Sequence, residues 1–265
     1  MDTDHIYPMD CVEGMRQHLP DNSIDLTVTS PPYDNLRTYD GYSFDFEATA
    51  RELYRVTKPG GVVVWVVADG VKRGSESGTS FQQALFFKGM GFNLHDTMIY
   101  AKSNPVPQFK QKRYTSAFEY MFVFSKGYPA TCNYLLDPTK QAGRRHNRNY
   151  SSAFGQQSAD RPREETTVVK THKVRRNIWT YAVGQHTDGA SNGHPAVFPE
   201  ALAEDHILSW SNPGDVVLDP FMGSGTTAKM AKKNGRRYVG FELSAKYVAI
   251  AKERLALLDG QLVPS

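Results

Sequence analysis

An α/β fold, built on a doubly wound and mostly parallel sheet of seven strands, is what this sequence predicts. Three observations carry the prediction. Short apolar runs alternate with segments of helical spacing along most of the 265 residues. The run Val62-Val63-Val64-Trp65-Val66-Val67 is apolar throughout, as a parallel strand covered on both faces requires. Near the end, Val216-Val217-Leu218 leads into Asp219-Pro220-Phe221-Met222-Gly223-Ser224-Gly225-Thr226-Thr227, which reads as a strand, a tight glycine turn and the start of a helix.

The elements follow in order. Ile6 to Asp10 is a short candidate strand, and Val12 to Leu19 a short helix closed by Pro20-Asp21-Asn22. Ile24 to Thr29 is a strand that Ser30-Pro31-Pro32-Tyr33 stops, because proline cannot continue a central ladder. A polar and aromatic loop runs from Asp34 to Phe44. From Phe46, the positions Ala50, Leu53 and Val56 recur at helical spacing up to Pro59-Gly60-Gly61. The buried run Val62 to Val67 comes next, then a Gly- and Ser-rich loop from Asp69 to Thr79 and a helix from Phe81 to Lys88. Thr97 to Tyr100 and Tyr120 to Phe124 are two further strands. Residues 127–193 show little periodicity, with Val168-Val169 and Ile178-Trp179 as isolated apolar pairs. The α/β rhythm then returns: a helix from Glu200 to Trp210, the strand into Asp219, a helix, the strand into Glu242 and a last helix from Ser244.

Composition narrows the class. Hydrophobic residues make up 40% of the chain and charged residues 22%, an ordinary globular balance. No run approaches the ~18 apolar residues of a membrane span. Met1-Asp2-Thr3-Asp4-His5 has neither the basic start nor the apolar stretch of a signal peptide, and two cysteines form no disulfide framework or metal spacing. An intracellular, cytoplasmic protein without a bound metal is therefore expected. The net charge of +3 is unevenly spread: residues 127–193 hold ten Lys and Arg against five Asp and Glu, while the rest holds 21 against 23. A polyanionic partner for that segment is the natural reading.

Two motifs carry the chemistry. Gly223, Gly225 and Ala228 fit G-x-G-x-x-A, and Glu242 lies seventeen positions past Gly225 at the end of the next apolar run. An acid so placed can accept from two ribose hydroxyls, which makes this half of the sheet a nucleoside site. In Ser30-Pro31-Pro32-Tyr33 the two prolines stiffen the chain and remove donors, so that bare carbonyl acceptors stand beside a hydroxyl and a flat ring. That set suits a planar group bearing an amino substituent, such as a nucleobase. In an open α/β sheet, ligands sit beyond the carboxyl ends of the strands, so Asp10, the Ser30–Tyr33 stretch, Asp219 to Gly225 and Glu242 are expected along one edge.

Together the motifs resemble those of the S-adenosylmethionine-dependent DNA amino-methyltransferases, which modify the exocyclic nitrogen of cytosine or adenine. With Ser-Pro-Pro-Tyr first and Asp-Pro-Phe-Met-Gly-Ser-Gly-Thr-Thr last, the order is similar to the circularly permuted beta class, whose target-reading region lies between the two. The resemblance implies a Rossmann-like methyltransferase domain in two halves, 1–126 catalytic and 194–265 cofactor-binding, around a basic target-recognition insert at 127–193. It implies that S-adenosylmethionine is held by Asp10, Cys11, Asp219, Phe221, Gly223, Ser224, Gly225, Thr226, Glu242 and His194, the last in His194-Pro195-Ala196-Val197-Phe198-Pro199. Ser30, Pro31, Pro32 and Tyr33 are then catalytic, acting on a base flipped out of duplex DNA, with Arg144, Arg145, Arg148, Arg175 and Arg176 as candidate DNA contacts. Serine ahead of the Pro-Pro-Tyr resembles the cytosine-N4 branch, where the adenine-N6 branch usually carries aspartate. A restriction-modification setting follows from the resemblance, with a cognate restriction nuclease and the oligomeric state left open.

Other classes account for less. A nicotinamide dehydrogenase would share the glycine turn and acid but leave Ser-Pro-Pro-Tyr and the basic segment without a purpose. A nucleotide hydrolase needs a lysine that Gly-Ser-Gly-Thr-Thr lacks. A non-catalytic DNA-binding protein with a relic cofactor site would be expected to lose Ser30 and Glu242, and both are present.

Overall fold

A computed structural model of the chain describes residues 1–32, 45–107, 112–147, 166–183 and 198–261. Chain order opens with β1 (His5–Tyr7), α1 (Cys11–His18), β2 (Ile24–Thr29), α2 (Phe46–Val56) and β3 (Thr57–Val67). A small hairpin, β4 (Val71–Lys72) and β5 (Ser75–Glu76), precedes α3 (Thr79–Gly89), β6 (Asn93–Lys102) and β7 (Phe118–Ser125). Then come β8 (Leu136–Pro138), β9 (Arg145–Asn147), β10 (Thr166–Val168), β11 (His172–Val174) and β12 (Ile178–Tyr181). The chain finishes with α4 (Glu200–Trp210), β13 (Val216–Asp219), α5 (Thr226–Lys233), β14 (Arg237–Phe241) and α6 (Ala245–Gln261).

Contacts divide the chain into two units, Met1–Asn133 with Asn177–Ser265, and Tyr134–Arg176. In the smaller unit, β9 pairs antiparallel with β10, and β8 pairs antiparallel with β11. The larger unit is organised by one sheet of order β1-β14-β13-β2-β3-β7-β6-β12. Every neighbouring pair in it is parallel except the two made by β7.

The sheet thus holds eight strands where the sequence predicts seven. The additional one, Ile178–Tyr181, lies inside the stretch assigned to the insert and joins β6 in parallel. Trp179 is its one buried side chain, with Ile178 and Thr180 exposed, so a four-residue edge strand leaves almost no periodic signal. The run Val62–Val67 is fully buried as expected, but it is parallel only to β2 and pairs antiparallel with β7 on its other side.

The apolar faces are covered by helices. Trp65 of β3 and Phe124 of β7 are fully buried against Phe87 of α3, whose ring stacks on Phe124 at 4.6 Å and meets Trp65 edge-on at 5.2 Å. Burying each such ring contributes about 1.5–3 kcal/mol. The Trp65 indole donates to the Gln83 carbonyl at 2.9 Å, so its polar end is satisfied inside the core.

Strand order also fixes where a ligand sits. From β2 the chain winds through α2 to β3 on one side, and from β13 through α5 to β14 on the other. The two windings part between β2 and β13, which lie side by side although about 190 residues apart, with Leu218 opposite Thr27. A crevice opens at such a switch point, beyond the carboxyl ends of the strands.

Candidate active site

Four parallel neighbours, β1, β14, β13 and β2, deliver the motifs to one edge of the sheet. Asp10 follows β1, Glu242 ends β14, the glycine turn follows Asp219 at the end of β13, and Ser30 follows β2. The expected gathering of Asp10, Ser30, Asp219 to Gly225 and Glu242 is therefore what the register of these strands produces. Tyr33, His194 and Arg148 lie outside the described residues.

The glycine turn is shaped by backbone demands. Gly223 (φ 51°) and Gly225 (φ 80°) occupy the left-handed region, and Gly225 is the N-cap of α5. A Cβ on Gly225 would stand 2.7 Å from the Ala251 Cβ, so α6 packs where only glycine fits. The turn is closed by the Gly225 amide donating to the Met222 carbonyl at 2.9 Å. The first amides of α5 then face the space above the turn, where the helix dipole favours acceptors.

Glu242 is oriented from both sides: one carboxylate oxygen accepts from the Gly223 amide and the other from the Ser244 amide, each at 2.8 Å. Burial raises its pKa, and those amides counter the rise. The Leu243 amide acts in the same direction, and the two carboxylate oxygens together retain acceptor capacity for incoming hydroxyls. Asp10 divides its work. Its Oδ1 caps α1, accepting from the Val12 and Glu13 amides at 2.9 and 3.0 Å. Its Oδ2 is buried and finds no partner among the described residues. A buried carboxylate oxygen without a donor is costly unless a ligand supplies one. Cys11 is buried with its thiol toward the Thr49 hydroxyl at 3.7 Å, and burial pushes its pKa up to about 12. It contributes packing in α1 and no nucleophile. Phe221 is half-buried, its ring edge-on to Trp65 at 6.2 Å.

The Ser-Pro-Pro-Tyr and glycine motifs are joined through Asp219. Thr29, the residue before Ser30, donates its hydroxyl to Asp219 Oδ1 at 2.7 Å, and the Phe221 amide donates to the same oxygen at 3.0 Å. The Thr227 hydroxyl of α5 lies 3.1 Å from the Val28 carbonyl. Burial lifts the Asp219 pKa to about 6, and the Thr29 and Phe221 donors hold it from rising further. Through its Oδ1 the Asp219 side chain acts as a fastener between β2 and the turn after β13.

The group that supports the turn from behind belongs to neither motif. Arg254 of α6, 2% exposed, donates to the Ser224 carbonyl at 2.7 Å and pairs with Glu200 of α4 at 2.6 Å. Lys229 of α5 meets the same Glu200 oxygen at 2.7 Å. The signal was available: Arg254 lies three positions after Ala251 and four before Leu258, so it interrupts the apolar face of α6 with a charge. Thr29 carries no sequence signal beyond ending a strand.

Of the arginines, Arg144 and Arg176 are exposed. Arg175 is ion-paired with Asp137 at 3.0 Å, which offsets its charge, and the Arg145 side chain lies outside the described residues. Among the described residues, no helix is long and apolar enough to cross a membrane.

The family model of N6/N4 methyltransferases, described as DNA methylase, matches residues 24–253. The chain belongs to the DNA methylase family. The methylase is 54% identical over 247 residues to the orphan methyltransferase M.BamHII of Bacillus amyloliquefaciens, covering 91% of this chain and 92% of that one. It is 28% identical over 254 residues to the type II methyltransferase M.BglII of Bacillus subtilis, covering 92% of this chain and 66% of that one. In fold it is similar to the PvuII DNA methyltransferase (cytosine-N4-specific), with a TM-score of 0.69 at 22% identity over 96% of this chain and 86% of that one. TTHA0409 of Thermus thermophilus, solved in complex with S-adenosyl-L-methionine, gives a TM-score of 0.61 at 27% identity, over 95% of this chain and 94% of that one.

Proposed function

We propose that the methylase transfers a methyl group from S-adenosylmethionine to the exocyclic N4 of a cytosine flipped out of duplex DNA. The observation that carries this reading is the juxtaposition at the switch point: Ser30 leaves β2 one residue after the Thr29–Asp219 bond that ties it to the glycine turn.

The residues present fit the cofactor. The Oδ2 of Asp10, unpartnered among the described residues, is an acceptor for an adenine amino group, Glu242 for two ribose hydroxyls, and the left-handed Gly223 and Gly225 let the backbone turn tightly beside a ligand. When bound, S-adenosylmethionine supplies an electrophilic methyl group on a sulfonium. The protein's part is to make the amine a nucleophile. In an aminopyrimidine the lone pair is delocalised into the ring. Acceptance of its two hydrogens by the Ser30 hydroxyl and the Pro31 carbonyl holds the nitrogen pyramidal, so the lone pair is free for in-line attack. Tyr33 is assigned to stack on the flipped base, which offsets part of the few kcal/mol that unstacking costs. The Asp219 fastener keeps the acceptors in register with the turn.

Serine at position 30, in place of the aspartate usual in the adenine-N6 branch, is the residue that favours cytosine. Nucleoside mass spectrometry of DNA incubated with the protein and S-adenosylmethionine decides the matter: N4-methylcytosine is expected. N6-methyladenine alone would overturn the choice of base, and no modified nucleoside, with DNA and cofactor both bound, would favour a relic site.

A further inference from the structure

At the carboxyl end of β3 stands a hairpin that the reaction does not use. Because Thr29 of β2 lies opposite Trp65 of β3 in a parallel pair, β3 leaves the sheet at Val67 on the same edge as Ser30. The hairpin β4–β5 follows at once, with Lys72 opposite Ser75 and only Arg73-Gly74 between them. Both turn residues have positive φ, 52° and 82°, the geometry of a type I′ turn. Asn or Gly is the usual occupant of its first position. Among the described residues, the other two non-glycine residues at positive φ are Asp4 and Asn22, types that tolerate it. An arginine held there is a conformational cost that a better turn residue would remove, and such outliers point to function.

The hairpin is braced and its acidic groups are occupied. The Ser77 amide donates to the Gly70 carbonyl at 2.9 Å, closing the base. Asp69 accepts from the Ser77 hydroxyl at 3.0 Å and from the Ser80 amide at 2.9 Å. Arg113 donates to the Gly74 carbonyl at 3.1 Å and forms an ion pair with Glu76. Lys72 and Arg73, both exposed, have no carboxylate partner among the described residues. The tip is therefore a doubly cationic projection on a braced backbone, so little backbone ordering opposes its use in binding.

We propose that this hairpin is a DNA-backbone clamp, in which Lys72 and Arg73 engage phosphates flanking the flipped base. This rests on the proposed function, since it takes duplex DNA as the substrate. Two adjacent long cations, Lys72 at the end of β4 and Arg73 in the turn, complement the charge of a phosphate row, and such contacts position a duplex without reading its sequence.

The test uses Arg73→Asn, Lys72→Glu and the double variant, with duplexes that do and do not contain the methylated site. DNA affinity is read by fluorescence anisotropy across a range of salt concentrations, cofactor affinity by calorimetry and stability by thermal melting. Arg73→Asn supplies the favoured turn residue, so it is expected to melt at or above the wild-type temperature while binding both duplexes more weakly. The log–log salt slope is expected to fall by about 0.9 for each phosphate no longer engaged, with S-adenosylmethionine affinity unchanged. Wild-type DNA affinity and slope in variants that melt normally would overturn the clamp, and so would a loss of cofactor affinity. Failure of the wild-type protein to bind or methylate any duplex would instead refute the function on which the clamp rests.

Discussion

Asp10 caps a helix and, in the function proposed above, also receives the cofactor. Its Oδ1 caps α1 while its Oδ2 is buried without a donor among the described residues, so substitutions can separate the two roles. Asp10→Ser keeps a good N-cap and is expected to leave stability near wild type while weakening S-adenosylmethionine binding. Asp10→Ala removes both functions, and the missing cap alone costs about 0.5–2 kcal/mol of stability. Glu242→Ala is expected to weaken cofactor binding by roughly 1–3 kcal/mol through the absence of charge-assisted hydrogen bonds. Calorimetry with S-adenosylmethionine checks the set. Unchanged affinity in Asp10→Ser would mean that Asp10 is a cap and nothing more.

The joint of β2 with β13 is the element on which the site depends, and its pH response has a definite sign. Asp219 titrates at about 6 in the folded chain because it is buried, against 3.8 for an unperturbed carboxyl. The folded state therefore holds a proton that the unfolded chain has already released in that window. Stability from this group is full below pH ~4 and is lost as pH rises through about 6. His206 of α4 works the other way. It is fully buried against Trp179 at 4.6 Å between ring centroids, and burial lowers its pKa to about 3. The unfolded chain takes up that proton first, so its stability is present above ~6.5 and is lost as pH falls toward 3. Between pH ~4 and ~6 the two oppose each other. Asp219→Asn leaves the histidine unopposed, so unfolding free energy should climb more steeply across that window than in wild type. Denaturant titrations at several pH values measure this, and parallel profiles would mean that Asp219 ionises as freely as in the unfolded chain.

At the scale of the whole molecule, charge and fold are segregated. The basic excess of residues 127–193 lies apart from the cofactor motifs in sequence, and it overlaps a unit that has its own short antiparallel pairs. Replacing Arg144, Arg145 and Arg148 with alanine should weaken DNA binding and flatten its salt dependence by ~0.9 in log–log slope per phosphate released. Cofactor affinity should stay the same. If affinity and slope hold at wild-type values, that positive charge is a solvated surface and the duplex docks elsewhere. Arg175, already balanced by Asp137, is expected to matter less than its neighbour Arg176.

The α/β class, both chemical motifs, their order and the position of the basic stretch are legible in the sequence, because each is written in local runs. Val62–Val67 is apolar without interruption, the glycines sit where the backbone must reverse, and Glu242 follows its strand directly. Which strands are neighbours is set by long-range pairing and is visible in the fold alone. The adjacency of β2 and β13 depends on pairing across about 190 residues, and no local pattern encodes a partner at that distance. The same reason hid Thr29 as the donor to Asp219, and Arg254 with Glu200 as the support of the glycine turn. It hid β12 as well, since an edge strand with one buried side chain is stabilised by the ladder it joins and not by its own residues.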